Sequence, residues 1–162
     1  MQLIYTYFRC FALVVLLIAG LSRMAFADAV EETPCIGTPE TPALDISVVN
    51  VRSAKGLVTL TIYPDDEKRF LAKGQKVSRL RVLAQTPVTH ACMPVPKAGF
   101  YAIALYHDED GDRKFDRTML GLPDEGYGLS NDAPAIVGLP SFKSVRFEAV
   151  PGVTPMRITV RY

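Results

Sequence analysis

Tryptophan is absent from these 162 residues, histidine occurs twice and cysteine three times. Each scarcity closes off a chemistry. Two histidines, His90 and His107, leave zinc short of its usual nitrogen and sulfur ligands. The cysteines form no C-x-x-C pair, so thiol–disulfide catalysis lacks its motif. Ser130 and Ser141 sit in no nucleophile elbow. Basic residues do not predominate: 18 Lys and Arg stand against 17 Asp and Glu, with no polybasic cluster. That balance supports neither a nucleic-acid partner nor an anionic lipid surface. The apolar run CFALVVLLIAGL at 10–21 is shorter than the about 20 residues that span a bilayer. There is no low-complexity segment and no internal repeat.

That short apolar run belongs to residues 1–27, which read as a secretory signal peptide. Arg9 precedes the run, and Ala25-Phe26-Ala27 follows it as a small-x-small cleavage site, with Ala27-Asp28-Ala29 competing. The alternative is an uncleaved N-terminal anchor. Cleavage after Ala27 leaves 135 of the 162 residues, enough for one domain with a sizeable core. It leaves no membrane span. With Arg9 and Arg23 gone, 16 basic and 17 acidic residues give a mature net charge of −1. The expected location is periplasmic or secreted, from a bacterium. Residues 28–43, rich in Pro and Glu, read as an extended arm, and residues 44–162 as a single domain.

Export also bears on the cysteines. Cys10 leaves with the signal, and the remaining pair, Cys35 and Cys92, is expected to bridge under oxidising conditions. Such a bridge would tie the arm onto the domain.

The domain alternates apolar and polar residues with period two. Leu44-Ile46-Val48, Val58-Leu60-Ile62, Leu80-Val82-Ala84, Val145-Phe147-Ala149 and Ile158-Val160-Tyr162 each read as a half-buried strand, with a short further strand at 88–93. Residues 100–107 are apolar on both faces and read as the central strand. Ile103, Leu105, Val145, Phe147, Ile158 and Val160 are expected to face the core. About seven short strands with turn signals between them predict an all-β, antiparallel Greek-key β-sandwich of transthyretin or immunoglobulin type. The stretch PKAGFY at 96–101 is similar to the turn that opens a central strand in transthyretin-like sandwiches.

After the central strand comes an acidic, glycine-rich stretch. Asp108, Glu109, Asp110, Asp112, Asp116, Asp124, Glu125 and Asp132 are eight of the chain's 17 acids, offset there only by Arg113, Lys114 and Arg117. A local charge of −5 repels itself unless water or a cation screens it. Asp108, Asp110 and Asp112 have the i, i+2, i+4 spacing of the first calcium ligands in an EF-hand loop, and Asp116 falls at the ninth position. Arg113 stands where that loop has Gly, Met119 stands where it has Glu, and a strand precedes it, so it is no EF-hand. The expectation is a strand-flanked Ca²⁺ site of Asp108, Asp110, Asp112 and Asp116, closed by Asp124 or Glu125, because all candidate ligands are oxygen. The alternatives are a solvated turn and an internal ion pair with Arg113. From 108 to 140 no regular element is expected, but Phe115, Leu120, Leu122, Tyr127, Leu129, Ile136 and Val137 supply apolar anchors for a packed loop.

The runs GFYAIA at 99–104, HDEDGD at 107–112 and GLPDEGYGLSN at 121–131 resemble the signature of a bacterial secreted family, domain-of-unknown-function family 2141. The resemblance covers most of residues 44–162 and is densest at 96–147. Members carry Asn and Gly in the acidic loop where this chain has Asp110, Asp112 and Arg113. The resemblance implies an exported β-sandwich and brings no catalytic residue. Two functional classes follow from the residues. One is a non-catalytic exported sandwich whose long loop recognises a cell-envelope or extracellular partner. The other is a small periplasmic hydrolase using His107 and the loop carboxylates, which requires His107 to meet converging acids in a pocket.

Overall fold

The structure is a computed structural model that describes residues 34–134, 138 and 140–162. The expected signal peptide, residues 28–33 of the arm, and Ile136 and Val137 lie outside the described residues.

Among the described residues, eight strands form two sheets. They are β1 (Ala43–Val49), β2 (Leu57–Pro64), β3 (Ser78–Leu83), β4 (Val88–Pro94), β5 (Gly99–Asp108), β6 (Gly126–Leu129), β7 (Arg146–Ala149) and β8 (Val153–Thr159). The smaller sheet has the order β4-β1-β8, and the larger runs β3-β2-β5-β6 with β7 also pairing β5. All pairs are antiparallel except β1 with β8, which run parallel from Ala43↔Val153 to Val49↔Thr159.

Period-two alternation places one side chain in two against the facing sheet. Leu44, Ile46 and Val48 of β1, Val58, Leu60 and Ile62 of β2, and Ile103 and Leu105 of β5 meet in one buried core with Phe147, Ile158 and Val160. Val145 departs from the expectation. It closes a single helical turn, α1 (Phe142–Val145), and packs with Ala102, Leu129 and Ala133 on the outer face of the larger sheet. That second cluster explains why β5 is apolar on both sides. β2 also differs from a half-buried strand, because Thr59, Thr61 and Tyr63 are buried as well. Lying between β3 and β5, β2 has its outer face covered in part by Phe70, whose ring meets Tyr63 edge-on at 5.4 Å.

Two further elements depart from their expected bounds. β8 starts at Val153, ahead of the alternating run at 158–162, because Pro155 interrupts the pattern. Proline is tolerated there since β8 is an edge strand. The expected long irregular stretch contains β6 and a 3-10 turn at Ser130–Asp132. β6 is only four residues, GYGL, so no periodicity marks it. Its glycines answer to close packing: a Cβ at Gly126 would lie 2.3 Å from the Tyr162 ring, and one at Gly128 2.8 Å from Ile158 Cγ2.

The 3-10 turn stitches the sheets together. β5 pairs β7 over its first half and β6 over its second, which leaves Ile103 between them. The buried Ser130 hydroxyl accepts from Ile103 N at 3.0 Å and lies within hydrogen-bonding reach of the Val145 carbonyl. Asn131 donates to the Ser144 and Arg146 carbonyls, and Asp132 accepts from Thr159 N of β8. Cys35 and Cys92 are disulfide-bonded, with Cα atoms 5.2 Å apart, fastening the described part of the arm to β4.

Candidate metal centre

The acidic centre forms at the end of β5. Alternation sends His107 and Glu109 to one side of the strand and Asp108 and Asp110 to the other. On the first side the β1–β2 connection clasps the chain. Glu109 accepts from Arg52 Nε at 2.9 Å and from Ser53 Oγ at 2.7 Å, and the Arg52 hydrogen bond holds its carboxyl down at about 2. Gly56, at φ +68°, lies so close that a Cβ would stand 1.8 Å from the Asp108 carbonyl oxygen.

His107 is fully buried. Its Nε2 lies 2.9 Å from the Lys55 carbonyl, which can only accept, so Nε2 donates. Nδ1 then accepts from the Tyr162 hydroxyl at 2.6 Å. The Tyr162 hydroxyl in turn accepts from Arg52 N. Both ring nitrogens are therefore engaged by a carbonyl and a phenol, and the structure does not bring His107 to the converging carboxylates that general-base chemistry requires.

On the other side the carboxylates gather. After β5 the chain makes a tight excursion in which Arg113 N donates to Asp108 Oδ2 at 3.0 Å. Arg113 takes φ +69°, the left-handed conformation for which a calcium loop uses glycine. Residues 116–124 then form a small hairpin. Asp124 N donates to the Asp116 carbonyl, Thr118 N to the Leu122 carbonyl, and Arg117 bridges Pro123. Its tip exposes Met119, Leu120 and Leu122. The hairpin returns the chain to β6, whose register with β5 ends at His107↔Gly126. One step further places Asp108 opposite Glu125.

The result is two overlapping triads. Asp108, Asp110 and Glu125 each offer an oxygen within 4.8 Å of the others, and so do Asp110, Asp112 and Asp116. Two oxygens on one Ca²⁺ at about 2.4 Å each are separated by no more than about 4.8 Å, so both spacings suit a hard cation. The triads are not equivalent. Lys114 Nζ pairs with Asp112 Oδ2 at 2.7 Å, so a cation is already present in the outer one. In the inner one Asp108 is completely buried, and its Oδ1 has no hydrogen-bond partner. Glu125 is also buried, with Oε2 accepting from Asp116 N at 3.2 Å. Burial pushes its carboxyl up to about 7 against that hydrogen bond, helped by the charges of Asp108, Asp116 and Asp110. An unpaired buried carboxylate oxygen is costly, and a bound cation would supply the missing partner.

The four expected ligands thus divide, with Asp108 in the inner triad, Asp112 and Asp116 in the outer, and Asp110 in both. Glu125, and not Asp124, closes the inner triad. Arg113 does not act as the internal counter-ion: among the described residues its guanidinium pairs with no carboxylate, and only its backbone N–H serves Asp108. These clusters of acids could hold a metal ion.

Among the described residues no helix is long and apolar enough to cross a membrane. The family described as "Uncharacterized protein conserved in bacteria (DUF2141)" matches residues 46–157. No curated protein and no solved structure matches the chain.

Proposed function

The chain belongs to this bacterial family, DUF2141, and from that premise we propose that it is an exported, non-catalytic β-sandwich that binds a cell-envelope or extracellular partner through its loop-bearing end, with Ca²⁺ ordering the acidic loop. The observation that carries the cation is the buried, unpartnered Asp108 Oδ1 beside Asp110 and Glu125. Calcium fits better than magnesium because it accepts irregular, flexible oxygen cages, whereas magnesium demands a near-ideal octahedron. The partner surface is the hairpin that the ion would hold in place, with Met119, Leu120 and Leu122 exposed at its tip. Isolated exposed apolar residues are ordinary, but three within four positions on one loop suit a contact surface.

Two experiments test this. Calorimetric titration of the purified protein with CaCl₂ should show saturable binding, and calcium should raise the melting temperature and protect the 108–125 segment from protease. Asp110→Asn, which touches both triads, should weaken both effects. No heat, no thermal shift and unchanged proteolysis at millimolar calcium would remove the cation. Fractionation of the native host should recover the chain outside the cytoplasm without residues 1–27; full-length chain in the cytoplasm would remove export.

A further inference from the structure

The outer face of the larger sheet holds a groove of about 770 Å³, roofed on one side by the 116–124 hairpin. That volume lies within the about 300–1,000 Å³ of small-molecule sites. Among leucines, glycines and prolines, its walls carry aromatic rings, including Tyr63 of β2, Tyr106 of β5, Tyr127 of β6 and Phe115 of the loop. Phe115 meets Tyr106 at 5.6 Å and Tyr127 at 6.4 Å between ring centroids.

The charge of the groove runs against that of its surroundings. Beside a stretch of eight acids, it is lined, among the described residues, by no carboxylate and by two guanidinium groups, Arg79 and Arg117. Neither forms an ion pair with any described residue. Each is held by neutral neighbours instead: Arg79 Nε donates to Thr61 Oγ1 at 2.9 Å and its guanidinium also bonds the Tyr63 hydroxyl, while Arg117 Nη1 donates to the Gly121 carbonyl at 2.9 Å. The Arg117 guanidinium also lies 5.0 Å from the Phe115 ring centroid. A guanidinium carries five N–H donors, so each retains donors for an incoming anion while these bonds fix its position.

We propose that this groove binds a small planar aromatic acid, with the ring laid against the tyrosine and phenylalanine wall and the carboxylate on the Arg79 or the Arg117 guanidinium. Stacking suits a flat ring, and a charge-assisted pair with fixed guanidinium donors suits a carboxylate. The proposal rests on the reading of this end of the domain as a recognition surface and names the ligand class it takes. Phe115 and Arg117 flank Asp116, so the groove wall belongs to the same loop as the acidic triads.

The test uses the full exported protein and three probes of one shape: 2-naphthoate, the neutral 2-naphthylmethanol and the cationic 2-naphthylmethylamine. Binding is followed by calorimetry, in calcium and separately in chelator. The naphthoate should bind at least about tenfold more tightly than the alcohol, and the amine more weakly still. Arg79→Ala or Arg117→Ala should weaken naphthoate about tenfold with little effect on the alcohol, and lysine at the same position should restore part of the loss. Equal binding of all three probes, naphthoate affinity indifferent to both arginine substitutions, or no naphthoate binding at millimolar concentration overturns the proposal. Naphthoate binding in chelator, together with no calcium heat, removes the cation and supports the groove. Calcium heat with no naphthoate binding removes the groove alone.

Discussion

Replacing Asp108 by Asn separates an acidic cluster that needs a cation from one that does not. The substitution keeps the shape and an oxygen for the Arg113 N–H but removes one buried charge. In chelator the wild-type protein holds Asp108, Asp110 and Glu125 within 4.8 Å of one another. Two unit charges at that distance repel by about 3.5 kcal/mol at an effective dielectric of about 20. Exposure of Asp110 and partial protonation of Glu125 reduce this, so relief of about 1–2 kcal/mol is expected, a rise of several degrees in melting temperature for a domain of this size. In saturating calcium the order reverses. The wild type gains RT ln(1 + [L]/Kd), about 2.7 kcal/mol at a hundredfold excess over Kd, while the variant has lost its buried ligand and gains little. Thermal melts of both proteins, in chelator and across a calcium series, should therefore cross. A variant that melts below the wild type in chelator, with neither protein responding to calcium, would refute the reasoning: the buried carboxylate would then be stabilising without an ion.

Acidity should act through two opposed groups. Glu125 titrates near 7 when folded and near 4.5 when unfolded, so between those values the folded state binds more protons and stability falls as pH rises; Glu109, held at about 2, makes stability fall as pH drops below about 4.5. Melting temperature in chelator should therefore peak near pH 4–5, and a steady rise from 4.5 to 7 would contradict the burial of Glu125. Ser130→Ala leaves the buried Ile103 N–H unpaired and should cost about 1–3 kcal/mol in urea unfolding, with faster hydrogen exchange at that amide; an unchanged midpoint would mean β5 closes the gap by itself. Phe147→Ala, at a position 8% exposed, should cost about 3–5 kcal/mol, and an unaltered midpoint would show that β7 does not face the core.

Much of the sandwich is legible in the residues because β1 and β2 carry a period-two pattern, and β5 a continuous apolar run, with no glycine or proline inside them. Where an element is set by its partners, the pattern is silent. β6 is four residues long with two glycines, and only the proximity of Tyr162 and Ile158 accounts for them. Thr59 and Thr61 read as a polar face, yet β2 is buried on both sides because of what packs over it. The parallel pairing of β8 with β1 leaves no local mark. In the acidic segment, spacing identified Asp108, Asp110, Asp112 and Asp116 as candidates, but the closing acid depends on register. Once His107 is known to pair with Gly126, Glu125 must oppose Asp108, and no spacing rule reaches across the intervening 16 residues.

The parallel seam between β1 and β8 has a mechanical consequence. A load applied at the start of β1 and the end of β8 pulls two parallel strands in opposite directions along their shared length. Their hydrogen bonds, over register pairs from Ala43↔Val153 to Val49↔Thr159, are then strained together rather than broken one after another from an end. An antiparallel seam loaded at adjacent strand ends opens like a zipper at low force; this one resists as a shear joint. Because β1 also lies between β4 and β8, and Cys92 of β4 is bonded to Cys35, the covalent link sits beside the strand that carries the load. Forced unfolding is governed by the unfolding barrier rather than by equilibrium stability, so this domain would withstand tension out of proportion to its size.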